Sequence, residues 1–185
     1  MRSQILSWLL TQVGFEVFRL EGGYKTYRSF THACVRQTYT LLLLGGKTGT
    51  GKTVLLRALS ERGEQVVDLE GLANHKGSTF GGIGQLPQPT VEQFENLFAE
   101  QLRLLDPKAP IWIEKESRRI GRIILPDQFY EQMTKSLRIE IEKTEEARIA
   151  HIAEEYASLE EEDLLQAVTR LQKKLGGFRM QQALD

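Results

Sequence analysis

Apolar residues recur along this chain at helical spacing in some stretches and in short unbroken runs in others, and the two patterns together lay out its elements. Ile5, Leu6, Leu9, Leu10 and Val13 share one face of a helix over Ser3–Val13, which Gly14 ends. Phe15–Leu20 alternates apolar and polar residues and predicts a strand, broken at Gly22–Gly23. Residues 24–38, YKTYRSFTHACVRQT, read as a connecting segment rich in Lys, Arg and Tyr. Thr40–Leu44 is apolar on both faces, the pattern of a strand in the middle of a parallel sheet. A loop over Gly45–Thr50 follows, then a helix over Lys52–Arg62 with Gly63 as its stop. Gln65–Leu69 predicts a second strand, and a glycine-rich loop runs from Gly71 to Gly84. Thr90 and Gln93 have the spacing of a capping box. The helix opened there carries Phe94, Leu97, Phe98, Leu102 and Leu105 on one side. Ile111–Ile113 predicts a third strand and Ile123–Leu125 a fourth; everything from Asp127 onward reads as helix, with breaks near Ser158 and at Gly176–Gly177.

Strands that alternate with helices predict an α/β fold in which a parallel sheet is covered on both faces. Four strands after residue 39 make a thin sheet, and a final strand would be expected after the last helices, beyond Asp185. Over 185 residues, 41% are hydrophobic and 26% charged, which excludes collagen, extended disorder and a disulfide-stapled scaffold. Cys34 is the single cysteine, so no intramolecular disulfide forms and a reducing, cytoplasmic setting is expected. The longest apolar run, Leu41–Leu44, is far short of the roughly 20 residues that span a bilayer, so no membrane partner is expected. Ser7 interrupts the opening stretch Ile5–Leu10, and no small-residue cleavage site follows, so it does not read as a signal peptide. The net charge of −1 hides a gradient: +6 over residues 1–60, −2 over 61–126 and −5 over 127–185. A basic first third suits an anionic, phosphate-bearing partner.

Gly46-Lys47-Thr48-Gly49-Thr50-Gly51-Lys52-Thr53 matches G-x-x-x-x-G-K-[ST] in full. A buried strand enters the loop and a helical pattern leaves it, the context in which this spacing binds phosphate. Its glycines let successive N–H groups point inward at phosphate oxygens. The helix beginning at Lys52 adds its positive end and the Lys52 ammonium neutralises the outer phosphate, while the Thr53 hydroxyl is placed to ligate Mg²⁺. The fold this predicts is a P-loop NTPase-like parallel sheet flanked by helices.

Glu114 and Glu116 follow the third strand, where a magnesium-organising acid sits beside such a loop; the alternative is that one or both only end the strand in water. Of the adjacent Arg118 and Arg119, at most one reaches a given phosphate, and a surface salt bridge is the competing role. Asp68–Ser78 leaves the second strand at the edge where ligands collect, and five glycines between 71 and 84 suggest close backbone approach or a mobile lid. His75 and Lys76 are candidates there for an anion or a proton transfer, although a lone loop His more often does neither. No clustered His/Cys pattern supports a zinc site, and Cys34, in a polar connector, reads as non-catalytic.

Five stretches together carry a family likeness: LEGGYKTYR (Leu20–Arg28), GGKTGTGKT, DLEGLANHKGSTFGG (Asp68–Gly82), Phe94-Glu95-Asn96, and WIEKESRRIG (Trp112–Gly121). In these the chain resembles the tRNA 2-selenouridine synthases, which join a rhodanese-like domain to a P-loop domain. The resemblance implies modification of a wobble uridine in tRNA. A geranyl group from geranyl diphosphate is attached to the sulfur of 2-thiouridine, and selenium from selenophosphate then replaces the geranylated sulfur. Residue type and position assign the site roles: Lys52 and Arg118 to catalysis, Gly46–Thr53 with Lys76 and Arg119 to phosphate binding, and Thr53, Glu114 and Glu116 to Mg²⁺, with tRNA phosphates as the other ligand open to Arg118, Arg119 and Lys76. Residues 1–28 would be the C-terminal remnant of a rhodanese-like domain, 29–38 a linker, 39–126 the P-loop core, and 127–185 a helical C-terminal region with its final part missing. Met1-Arg2-Ser3 resembles the end of a rhodanese active loop, so the catalytic Cys would lie outside this sequence. Selenation would then be lost, or restored by a separate rhodanese-like chain. Lys115 stands where the family leads one to expect an acidic or amide residue. Two other classes compete: a nucleoside-triphosphate-dependent kinase or ATPase on the same loop, and an inactive remnant that binds tRNA without chemistry.

Overall fold

The computed structural model describes residues 2–78 and 80–157, with Glu162, Leu164, Leu165 and Thr169 beyond them. Two helices come first, α1 (Arg2–Gln12) and α2 (Gly23–Arg36). There follow β1 (Leu41–Gly46), α3 (Lys52–Glu61), β2 (Gln65–Val67), α4 (Leu69–Ala73), α5 (Val91–Leu102) and β3 (Ile111–Glu114). A hairpin of β4 (Arg119–Ile120) and β5 (Ile123–Ile124) leads to α6 (Asp127–Lys135), β6 (Leu137–Ile141) and α7 (Glu145–Tyr156).

The sheet has the order β2-β3-β1-β6 and every pairing in it is parallel. Leu41 to Leu44 lie opposite Ile111 to Glu114 on one side, and Leu42 to Gly46 lie opposite Leu137 to Ile141 on the other. The two-sided apolar run of β1 is thereby explained: Leu41, Leu43 and Leu44 are buried between neighbours. This is a P-loop NTPase-like sheet flanked by helices. Because all four strands point the same way, their carboxyl ends open onto one edge, where ligands of such sheets bind.

The core lies where α5 and α6 cover β1 and β3. Phe98 meets Phe129 edge to face, with ring centroids 4.7 Å apart, and Phe94 stacks on Phe98 at 5.8 Å. Leu97, expected on the same face, is 40% exposed, so the buried stripe of α5 passes beside it through Phe94, Phe98, Ala99 and Leu102. The hydroxyl half of the expected capping box is formed, with Thr90 Oγ1 accepting the Gln93 N–H at 3.1 Å. Thr90→Ala is expected to cost about 1 kcal/mol, read as a lower midpoint in urea unfolding, whereas Thr90→Ser holds the wild-type value.

Four sequence expectations are corrected. Residues 24–38 are not a connector: most of them form α2, which buries Thr31, Cys34 and Val35. Tyr24 and Arg28 fasten α2 to α5. The Tyr24 hydroxyl donates to Glu92, and Arg28 reaches Asn96 Oδ1 at 2.6 Å and pairs with Glu95. The stretches LEGGYKTYR and Phe94-Glu95-Asn96 are thus two halves of one contact. Phe15–Leu20 forms no strand among the described residues; Phe18 is 86% exposed there, and the α1 side chains Ile5, Leu6, Trp8 and Leu9 are exposed with it. Ile123–Leu125 contributes to the antiparallel hairpin and not to the main sheet. The region after Asp127 is not all helix, because Leu137–Ile141 pairs with β1. The breaks expected near Ser158 and at Gly176–Gly177 lie outside the described residues. No helix among the described residues is long and apolar enough to cross a membrane.

Candidate functional site

β1 runs out of the sheet into the loop Gly46–Thr53, and α3 starts on its far side at Lys52. The Lys52 Nζ donates to the carbonyl of Gly46 at 3.2 Å, so the ammonium lies across the mouth of its own loop. Thr53 sits one residue further into α3 and its hydroxyl donates to Glu114 Oε1 at 2.9 Å. That bond ties the phosphate loop to the last residue of the neighbouring strand. Glu114 is fully buried, and its second oxygen, Oε2, has no hydrogen-bond partner among the described residues. A cavity of about 590 Å³ opens above these groups, lined by the loop, by Arg57, Lys76, Lys115 and Glu116, and by His151 and Glu155 of α7.

Two further carboxylates stand beside Glu114. Glu116 follows two residues after it, and Glu70 comes from α4; one oxygen of each of the three lies within 4.8 Å of the others. α4 is held in place by its cap, Asp68 Oδ1, which accepts the Gly71 N–H at 2.7 Å. Burial and then the neighbouring Glu114 and Glu116 push Glu70 up to about 9. Burial also raises Glu114, against the hydrogen bond from Thr53, and raises Glu116. Three acids this close cannot all carry charge without a compensating cation or shared protons.

α7 forms the roof. Arg148 Nε donates to the carbonyl of Thr48 at 2.9 Å, and Glu155 pairs with Lys76. The Lys76 ammonium lies 5.8 Å from the centre of the Tyr156 ring, which packs edge-on against Phe80. The helix can approach this closely because Gly49 has no side chain. A Cβ there would sit 2.6 Å from the Arg148 carbonyl oxygen, on a backbone with φ of +82°. Gly49→Ala is expected to cost about 1–2 kcal/mol from the left-handed backbone alone and to push α7 off the loop. Faster amide exchange over Glu145–Tyr156 is the readout; unchanged exchange there would show that α7 does not depend on this contact.

The structure therefore brings Lys52, Thr53, Glu116 and Lys76 to one cavity, together with Gly46, Thr48, Gly49 and Gly51, and Glu114 lies buried behind Thr53. Lys47 and Thr50 belong to the loop itself, where Thr50 turns its hydroxyl back to the Lys47 carbonyl at 2.9 Å. Arg118 and Arg119 are not brought to it. Their hairpin turns toward α6, Arg118 pairs with Asp127 at the surface, and Arg119 is exposed. His75 has a buried Nδ1 without a partner, and burial lowers its pKa; it packs beside Gly81, Gly82 and Gly121 and braces the glycine-rich loop. Glu70 and the α7 residues His151 and Glu155 escaped sequence reasoning. For Glu70 one signal was available, since an acid shortly after β2 mirrors Glu116 shortly after β3 in the neighbouring strand.

Comparison with known proteins adds a family. A family model described as the tRNA 2-selenouridine synthase AAA domain matches residues 39–185. A curated tRNA 2-selenouridine synthase from Sulfurovum sp. (strain NBC37-1) is 37% identical over 200 residues, covering 96% of this chain and 53% of its own length. Those from Hydrogenovibrio crunogenus and Marinobacter nauticus are 34% and 36% identical, cover all of this chain, and are themselves covered over 55% and 57%. The chain thus spans about half the length of the curated relatives it matches. Among solved structures, AMPPCP-bound DnaA from Aquifex aeolicus is similar at 16% identity and a TM-score of 0.31, over 87% of this chain and 64% of that one. That likeness is too distant to add to what the sheet and loop already show.

Proposed function

The chain belongs to the tRNA 2-selenouridine synthase family, and from that membership we propose that it binds the phosphorylated donor while a wobble uridine of tRNA is modified. One observation carries the reading: a complete phosphate loop, with Lys52 across its mouth, is tied through Thr53 to a buried acid at the floor of a cavity of about 590 Å³.

The reaction proposed is geranyl transfer to 2-thiouridine. The uridine sulfur attacks the allylic carbon of geranyl diphosphate, the carbon–sulfur bond forms, and the carbon–oxygen bond breaks with its electron pair leaving on diphosphate. The N3 proton of the thiouridine passes to solvent. Negative charge gathers on the leaving diphosphate, and stabilising it is the work of the Lys52 ammonium, the loop N–H groups and the amino end of α3. Lys76 reaches the same anion when it parts from Glu155. Mg²⁺ fits this site: Thr53 and Glu114 offer hard oxygen ligands, with Glu116 alongside, and Glu114 Oε2 has no other partner. When bound, the ion would supply further positive charge to the diphosphate.

Selenium from selenophosphate, a second phosphorylated donor, would then replace the geranylated sulfur, the C2–S bond breaking to release geranylthiol and the Se–P bond breaking as water takes the phosphoryl group as phosphate. Cys34 does not suit a sulfur or selenium relay, because it lies on the buried face of α2 and burial pushes its thiol up. That step is therefore assigned to a rhodanese-like cysteine outside this sequence, in cis or on a separate chain. On this reading the partner is a tRNA carrying wobble 2-thiouridine and the setting is cytoplasmic. Arg118, Arg119 and Arg122, exposed along the β4–β5 hairpin, are candidates for its backbone.

The test supplies purified chain with such a tRNA, Mg²⁺ and geranyl diphosphate, and looks for the geranylated nucleoside by mass spectrometry of the digest. Product supports the transfer. Geranyl diphosphate bound without product confines the reading to donor binding, and ATP bound in place of the donor replaces it with a nucleotide-dependent kinase or ATPase.

A further inference from the structure

The floor of the cavity holds one more acid than a phosphate-loop cation needs. A Mg²⁺ that arrives with phosphates is held by one or two carboxylates and keeps several waters. Here Glu70, Glu114 and Glu116 each direct an oxygen to one spot, within 4.8 Å of one another. Glu114 is fully buried, Thr53 occupies its Oε1, and among the described residues its Oε2 has no hydrogen-bond partner other than a proton on Glu70. An acceptor left buried and unpaired is costly, more so when it is charged, so the position calls for a cation or for a proton shared with Glu70.

The surrounding backbone shapes the same spot. Gly77 closes over two of the acids: a Cβ at that residue would lie 2.4 Å from Glu70 Oε1 and 2.8 Å from both oxygens of Glu116. With φ at +64°, the residue is also in a conformation that favours glycine. The loop thus passes backbone, not side chain, over the carboxylates. Among the described residues no Lys, Arg or His makes an ion pair with any of the three. Lys52 is the nearby positive group, and it is engaged with Gly46.

We propose that Glu70, Glu114 and Glu116 hold a divalent cation of the Mg²⁺ and Mn²⁺ class before any phosphate arrives, with Glu70 as the ligand that makes phosphate unnecessary. Three carboxylates supply enough charge and enough oxygen to retain a hard cation with water in its remaining positions. The proposal rests on the cation reading above for Glu114 and extends it through α4.

The test titrates Mn²⁺ into the chain freed of nucleotide and phosphate and follows the free ion by electron paramagnetic resonance. Wild type is expected to bind one Mn²⁺ that Mg²⁺ displaces. Glu70→Gln is expected to weaken that site at least tenfold, while Lys52→Ala binds at least as tightly as wild type. Glu116→Gln, run in parallel, is expected to show a similar loss and decides the matter if Glu70→Gln fails to fold. No stoichiometric Mn²⁺ on phosphate-free wild type, or wild-type affinity in the folded glutamine variants, overturns the proposal. Binding of geranyl diphosphate is measured on parallel samples, both with Mg²⁺ and with EDTA. Mn²⁺ without donor binding would remove the donor reading and leave this site; donor binding without Mn²⁺ would remove this site alone.

Discussion

Lys52→Ala is expected to lower donor consumption about 100- to 1,000-fold while leaving the fold standing. The magnitude follows from where the charge is. In the proposed transfer the diphosphate gains negative charge as the carbon–oxygen bond breaks, and Lys52 is the ammonium placed across the mouth of the loop that cradles it. Donors fixed before the reaction lose nothing to reorganisation, so removing one is costly to the rate. The fold has little stake in this side chain, whose described hydrogen bond is a single one to Gly46 at 3.2 Å. The measurement pairs single-turnover geranyl transfer with thermal unfolding. A slow variant that melts like wild type assigns the loss to the missing ammonium; wild-type turnover would remove the loop from the chemistry. Lys52→Arg is not expected to restore the rate, because a wide planar guanidinium does not replace a compact ammonium in a closed loop.

Phe98→Ala is expected to destabilise the chain by about 3–5 kcal/mol. Phe98 is completely buried where α5 meets α6, and its ring is the middle of the series Phe94, Phe98, Phe129. Truncation removes the transfer free energy of the ring, leaves a cavity between two helices, and strips Phe129 of its 4.7 Å partner. Against a total stability of about 5–15 kcal/mol, such a loss moves the urea midpoint well below that of wild type. Leu97→Ala, one residue earlier but 40% exposed, is the matched control and is expected to cost much less. Equal losses at the two positions would mean that the buried stripe of α5 has been misidentified.

The phosphate loop, β1 to β3 and the α5 cap were legible because each rests on local chemistry: glycine spacing, short apolar runs, a hydroxyl three residues before an N–H. What was not legible depends on distant partners. Leu137–Ile141 alternates apolar and polar residues, but between two helical patterns that alternation is short, and only the free side of β1 turns it into a strand. α2 reads poorly because its inward positions are Thr31, Cys34 and Tyr27 as well as Val35, weak apolar signals whose spacing becomes decisive only against α5. Arg118 and Arg119 show the opposite error: residue types suited to phosphate, in a promising stretch, carried away by a hairpin that turns toward α6. Glu70 was overlooked because the acids it joins lie far downstream, and only the parallel pairing of β2 with β3 brings them side by side.

The sheet order β2-β3-β1-β6 also has a consequence for how the chain is made. β1 and the loop after it leave the ribosome early, but the strands that flank β1 are Ile111–Glu114 and Leu137–Ile141, and the helix over the loop ends at Tyr156. At roughly 5–20 residues per second, about 100 residues of further synthesis take on the order of 5–20 s. Until Ile111–Glu114 emerges the apolar run Leu41–Leu44 has neither neighbour, so the nascent chain passes through a stage in which this central strand is bare. The phosphate site is therefore a late product of translation: its sequence emerges first, and its shape is completed by residues that emerge near the end.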